Sequence, residues 1–216
     1  FLKGAASVLY GAAPPGGVVN TVSKRPTTEP LHELNVEAGN FRRKQISGDF
    51  GGALDDEGKW SYRLTALKRD SDTFIDHVPD DRTYVAPALK WQPSDATSLT
   101  LLAEYQEDRT AYVYGLPGQG TVLPNPNGRI PRNRFTGEPG FDKFIMKRYS
   151  IGYLFEHAFT DQLKLRNSVR YFHADSTYFS TDIWQLQADQ RHTADRGAMP
   201  RWDRSSAVVA DTSLQY

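Results

Sequence analysis

The chain has 216 residues with Lys+Arg and Asp+Glu balanced at 26 each, so nothing points to nucleic acid or to an acidic surface as partner. It has no cysteine, which removes disulfides and thiolate metal sites. Aromatic residues make up 12% while the mean hydropathy is −0.59; that excludes a bundle of membrane helices but suits a transmembrane β-barrel, in which only alternate residues meet lipid.

Residues 1–26 read FLKGAASVLYGAAPPGGVVNTVSKRP and carry no charge from Gly4 to Ser23. The stretch is long enough to span a bilayer, but Pro14-Pro15 and Gly16-Gly17 in its middle rule out a continuous helix. A helical or turn segment near residues 5–10, a Pro-Pro-Gly-Gly reversal and a strand over 18–23 are predicted instead. Residues 27–30 form a short linker.

From residue 31 apolar and polar residues alternate with period two, and eight strands are predicted. The first covers 31–39, with Leu34, Val36 and Ala38 on one face. The second covers 44–54, and Asp55-Asp56-Glu57-Gly58-Lys59 after it reads as a solvated hairpin turn. The third, 60–69, alternates Trp60, Tyr62, Leu64 and Ala66 against Ser61, Arg63, Thr65 and Leu67. The fourth, 83–91, carries Pro87, which predicts an edge or a bulge. The fifth covers 97–106. A long connection, 107–146, is rich in Pro, Gly and Asn, and such length implies a role. The sixth, 147–159, sets Tyr149, Ile151, Tyr153 and Phe155 on one face. The seventh, 162–179, sets Leu163, Leu165, Val169 and Tyr171 against Lys164, Arg166, Ser168 and Arg170. A second long loop is predicted over 180–204, and the eighth strand over 205–216.

Several strands exceed the five or six residues usual in globular sheets. Connections after the second, fourth and sixth strands are tight and those after the third, fifth and seventh are long, although the first connection breaks the rule. Tight turns at one end and long loops at the other mark outer-membrane barrels. The seventh strand decides which face meets lipid. Turning it around would place Lys164, Arg166 and Arg170 in hydrocarbon, at roughly 2–4 kcal/mol each near the midplane. The Leu/Val/Tyr face is therefore assigned to lipid and the basic face to the lumen, with Trp60, Tyr62, Trp91, Tyr105, Tyr149 and Tyr171 placed for aromatic girdles. A soluble sandwich would also alternate, but with its apolar face in a core.

The opening stretch, through Lys3-Gly4, Ala6–Gly11, Pro15–Asn20 and Val22–Pro26, resembles the end of the plug domain of TonB-dependent outer-membrane ferric-siderophore receptors. Many members have Arg-Gly-Pro where this chain has Lys3-Gly4-Ala5. The stretches PTTEPLHELNVEAGNF, SYRLTALKRDSDTF and RTYVAPALKWQPSDATSLTLLAEYQEDRT resemble the opening strands of the barrel in that family. The resemblance implies an all-β fold, part of a large plugged antiparallel transmembrane barrel. Residues 1–26 would be the plug end, 27–30 a linker and 31–216 the first eight or so barrel strands. Gly4, Tyr10, Gly11, Gly16, Gly17 and Asn20 would be structural residues of the plug motif. The chain opens on Phe1 without a signal-peptide pattern and ends at Gln215-Tyr216 within an alternating stretch, so a fragment of a longer protein is expected.

Catalytic signatures are missing. His32, His77, His157, His173 and His192 show no metal-ligand spacing. Gly115–Gly120 is glycine-rich but lacks the strand-then-helix context of a phosphate loop. The stretch Tyr112-Val113-Tyr114-Gly115-Leu116-Pro117 opens the long connection at the outer end of a strand. Tyr112 and Tyr114 are candidate ligand contacts, since aromatics offer large apolar area with a hydroxyl to orient polar atoms; girdle tyrosines are the competing reading. Arg109 and Arg129 are candidates to attract an anionic chelate. The resemblance implies uptake of a ferric siderophore, hydroxamate in type, with no protein cofactor and no enzymatic activity. It also implies the TonB-ExbB-ExbD complex and outer-membrane lipid as partners, and phage or bacteriocins as possible exploiters. Other readings stay open: a cobalamin or haem receptor of the same family, a small passive or adhesive eight-stranded barrel, and a soluble carbohydrate-binding β domain.

Overall fold

The computed structural model describes residues 21–188 and 193–216. The predicted plug-motif residues Gly4, Tyr10, Gly11, Gly16, Gly17 and Asn20 lie outside them, as does His192. Eight strands follow one another: β1 Leu31–Ala38, β2 Lys44–Ala53, β3 Trp60–Asp70, β4 Asp81–Ser94, β5 Thr97–Thr110, β6 Lys143–Ala158, β7 Lys164–Leu186 and β8 Ala194–Gln215. They form one antiparallel sheet in sequence order, each strand paired only with its neighbours in the chain. Among the described residues no helix is long and apolar enough to cross a membrane.

The register carries each face across the sheet. One row reads Tyr62–Leu89–Leu101–Tyr153–Val169–Ala210, and the row beside it reads Arg63–Ala88–Leu102–Gly152–Arg170–Val209. A slip of one residue anywhere would exchange these faces. Burial is inverted relative to a soluble protein. Asp49, Ser61, Thr100, Gln106 and Ser150 are buried on the polar face, whereas Leu101, Ile151, Val208 and Leu214 are 47–67% exposed on the other. So continuous an apolar surface has no place in water, which removes the soluble-sandwich reading.

Aromatic residues bound that surface. Trp60 and Trp91 stack with ring centroids 6.0 Å apart where β3 begins and β4 ends. Farther along the same face Tyr149 meets Tyr171 at 6.2 Å and His173 at 5.0 Å. Leu99, opposite Trp91, and Tyr105, opposite Tyr149, lie about 20 Å apart along β5 at ~3.4 Å per residue. That is of the order of the apolar band of an outer-membrane barrel.

Two expectations need correction. Pro87 marks neither an edge nor a bulge. It lies in an interior strand opposite Leu64, and the pairing to β5 lapses between Val85 and Ala88 and resumes in the same register. The ladder's irregularity falls at Trp91/Ser94 instead. The predicted loop over 180–204 is mostly a hairpin, since β7 runs 23 residues and β8 22, joined by residues 187–193. At ~3.3 Å per residue such strands reach roughly 75 Å, against about 30 Å of hydrocarbon. Their outer halves lie beyond the hydrocarbon, where neither face has to be apolar, so the alternation that betrays a strand fades there.

A Cβ at Gly152 would lie 2.3 Å from the Val169 carbonyl oxygen and 2.9 Å from Arg170 Cα. Gly152→Val is therefore expected to force β6 and β7 apart at an overpacking cost of about 1–3 kcal/mol. In the full-length protein this should lower the temperature at which the compact band on semi-native gels converts to the unfolded one; an unshifted conversion would contradict the packing described.

Candidate ligand-binding site

β5 continues as an extended segment into residues 111–114, and its period of two sorts the side chains. Ala111 and Val113 turn to a small apolar core with Val78, Phe135 and Ile75. Tyr112 and Tyr114 turn the other way and meet side chains from the polar face of the sheet. Tyr112 lies 4.7 Å from Tyr114 and 5.7 Å from Tyr178 between ring centroids, both edge-on. Phe144 lies 6.0 Å from Tyr178, and the Tyr114 and Tyr178 hydroxyls are 3.1 Å apart. Phe144 and Tyr178 are register partners. Both share the parity of Gly152 and Arg170, so they stand on the lumenal wall at its long-loop end. The four rings form an apolar shelf bearing hydroxyls, and Tyr112 remains 49% exposed.

Arg109 is not part of this shelf. It has the opposite parity on β5, beside Glu107, whose carboxylate accepts from its Nε at 2.6 Å. Alternation alone separates it from the tyrosines' contacts on the wall. Arg129 is exposed in the connection between β5 and β6. Phe144 and Tyr178 were missed from the sequence because Phe144 fell inside the predicted long connection and Tyr178 at a predicted strand end. Extending the alternation of Arg148 and Met146 back to Phe144 would have found the first.

Three neighbours hold the third loop, residues 111–142, in place. Asn133 Nδ2 donates to both Asp76 carboxylate oxygens at 3.0 and 2.9 Å, and the Asp76 amide donates to the Asn133 carbonyl at 3.0 Å. Asp142 accepts from the Thr181 amide at 3.0 Å and from its hydroxyl at 2.7 Å. Arg196 Nη1 reaches Glu138 at 3.1 Å. The β3–β4 loop, residues 71–80, is pinned in turn to the β1–β2 connection, residues 39–43, by Arg42, which bonds Asp72 at 2.5 and 2.8 Å. That guanidinium holds the Asp72 carboxyl below the usual carboxylate range. The contact is therefore complete at neutral pH and is lost only as pH falls through that lowered value.

Below the aromatic shelf the wall is polar. Arg82 bonds Asp108 at 2.5 Å, Gln106 Nε2 donates to Asp108 at 2.6 Å, and Arg148 Nη2 donates to Gln106 Oε1 at 2.6 Å. Lower still, Arg63 grips Asp49 through Nε and Nη2, both at 2.8 Å, and Lys24 reaches the same carboxylate at 2.5 Å. Among the described residues no group of three or more His, Asp or Glu is placed to hold a metal.

The same fold occurs in solved structures. The ferripyoverdine receptor of the Pseudomonas aeruginosa outer membrane matches with a TM-score of 0.88 at 20% identity, over 98% of this chain and 28% of that one. The open form of the Escherichia coli K12 ferric-catecholate import receptor matches at 0.87 and 20%, over 98% and 35%. In sequence, the chain is 40% identical over 172 residues to the ferrichrome outer membrane transporter/phage receptor of Escherichia coli K12, covering 79% of this chain and 23% of that protein. It is 31% identical over 214 residues to the ferrioxamine B receptor of Salmonella typhimurium, covering 99% and 30%. The chain belongs to the TonB-dependent outer-membrane receptors. It lies in the bacterial outer membrane as part of a plugged β-barrel. No protein-family profile matches it. These relatives are receptors and transporters, and the chain spans less than a third of the length of either.

Thr181 is 7% exposed, so Asp142→Ala in the full-length receptor leaves two buried donors unmet. Charge-assisted bonds of about 1.5–3 kcal/mol would be lost. Protease added to intact cells should cut the third loop about tenfold faster or more, with the barrel's gel behaviour unchanged. An unaltered cleavage rate would show that this contact does not tether the loop.

Proposed function

We propose that this chain is the plug end and opening barrel wall of a receptor that imports a ferric siderophore of the hydroxamate class. In this reading residues 1–26 end the plug, 27–30 link it to the barrel, and the inner-membrane TonB-ExbB-ExbD complex supplies the energy. The observation that carries the reading is the aromatic shelf of Tyr112, Tyr114, Phe144 and Tyr178 on the lumenal wall below the long loops. The names of the ferrichrome and ferrioxamine B relatives support the ligand class.

The chemistry follows from the shelf. A ferric chelate arrives with its iron already ligated, so the receptor supplies shape, apolar area and hydrogen bonds rather than metal ligands. Edge-on rings give large contact area at small loss of rotamer freedom. The Tyr114 and Tyr178 hydroxyls, paired with each other in the free state, can turn to chelate oxygens without leaving a buried group unmet. Arg109 faces away and takes no part in binding; its charge serves the outer surface. The long loops are the surface open to phage or bacteriocins. The E. coli relative's name includes phage reception, and one structural neighbour is the FpvAI–pyocin S2 complex.

The test is binding of ferrichrome and ferrioxamine B to the purified full-length receptor by fluorescence quenching, with uptake of the radio-iron chelates by cells. Tyr114→Ala and Tyr178→Ala should each weaken binding about tenfold, as expected for about 1.5 kcal/mol of aromatic contact, and Arg109→Ala should leave affinity within about twofold. Uptake should vanish when the proton-motive force is collapsed. Binding of cobalamin or haem in place of both chelates would move the receptor to another ligand class.

A further inference from the structure

Residues 23–28 are fastened to the lumenal wall from two sides. Ser23 Oγ accepts from Arg170 Nη2 of β7 at 3.1 Å. The next residue, Lys24, bonds Asp49 of β2 at 2.5 Å. The Arg25 carbonyl accepts from Arg63 Nη1 of β3 at 3.4 Å, Pro26 is buried, and the Thr28 carbonyl accepts from the Ala53 amide of β2 at 3.2 Å. Strands β2 and β7 are five positions apart, or about 24 Å along the sheet at ~4.8 Å per strand. Adjacent residues are seized from both because the sheet curves around them and long Arg and Lys side chains reach inward. The segment is thus a chord across the arc.

Its firmest point is Asp49. This carboxylate is 5% exposed and accepts from Lys24 Nζ, from Arg63 Nε and Nη2, and from Thr65 Oγ1 at 3.3 Å. Four donors match the roughly four acceptor positions of a carboxylate, so the site is saturated and costly to open. Of the two described residues before Ser23, Thr21 is exposed and Val22 is 69% exposed.

The geometry points to residues 23–28 as a fixed anchor that stays on the wall throughout a transport cycle, with Ser23 as the limit of plug movement. Any rearrangement that opens the lumen then hinges upstream of Ser23, and the plug stays tethered to β2 and β3 while it moves. This rests on reading residues 1–26 as the end of a plug.

The test uses the full-length receptor in cells. Lys24→Cys with Asp49→Cys replaces the ion pair by thiols that a short bis-methanethiosulfonate links and a reductant releases. The linked receptor should take up radio-iron ferrichrome at no less than half the wild-type rate. Uptake below a tenth of wild type, restored by reductant, would overturn the anchor. A second variant reads the anchor without any ligand. Ser23→Cys should react equally slowly with a hydrophilic maleimide in energised and de-energised cells, and should react at least tenfold faster when Asp49→Asn is added. Labelling that rises on energisation alone would overturn the anchor. Wild-type cells that take up no ferric hydroxamate would count against the proposed ligand, while the maleimide result would still decide the anchor.

Discussion

Hydrocarbon offers no partner to a backbone N–H or C=O, and this constraint organises the molecule. Every residue of a spanning strand must bond across to a neighbour or lose several kcal/mol. The seven ladders joining β1 to β8 meet it with few interruptions, one of them at Pro87. Because β1 and β8 do not pair with each other, the described sheet is an arc whose edges need further strands. The same constraint fixes the faces. With register locked by the ladders, alternate side chains must go to lipid, and the basic ones cannot. Arg63, Arg148 and Arg170 are thus committed to the lumen, where they become the groups that grip the wall network and the docked segment.

Where this constraint acts, the sequence was easy to read. Ile151, Tyr153 and Phe155 against Ser150, Gly152 and Leu154 gave both strand and face, and β1, β2 and β3 ended within one residue of expectation. Legibility failed once strands left the membrane. Beyond Phe179 β7 packs against polar loop groups rather than lipid, and Ser180 and Thr181 are polar yet buried on successive positions, so Ser180, Thr181 and Asp182 show no alternation and the hairpin looked like a loop. Pro87 misled for a different reason. A lost amide is penalised locally, but pairing on both sides of the gap held the register.

The candidate site shows the same division. Tyr112 and Tyr114 could be named from position and chemistry. That they meet Phe144 and Tyr178 could not be read, since these residues lie 34 and 68 positions beyond Thr110 and only the register of β5, β6 and β7 brings them together. Arg109 was drawn in by its charge, and its parity on β5 sets it on the face opposite Phe144 and Tyr178. The grip of Asp49 on Lys24 and Arg63 was invisible in sequence, because nothing local links residues 24, 49 and 63. It emerges when β2 and β3 pair and the docked segment crosses them.

The assignment of faces is the claim on which the site, the lumen and the docked segment all stand. It is tested most directly by nitroxide labels placed one at a time along β6 of the full-length receptor in lipid bilayers, with collision rates measured against oxygen and against a polar nickel chelate. Labels at Tyr149, Ile151, Tyr153 and Phe155 should collide chiefly with oxygen, and labels at Arg148, Ser150 and Leu154 should not, giving a period of two. Equal exposure of Ile151 and Ser150 to the polar reagent, or oxygen collisions strongest at Ser150, would contradict the account.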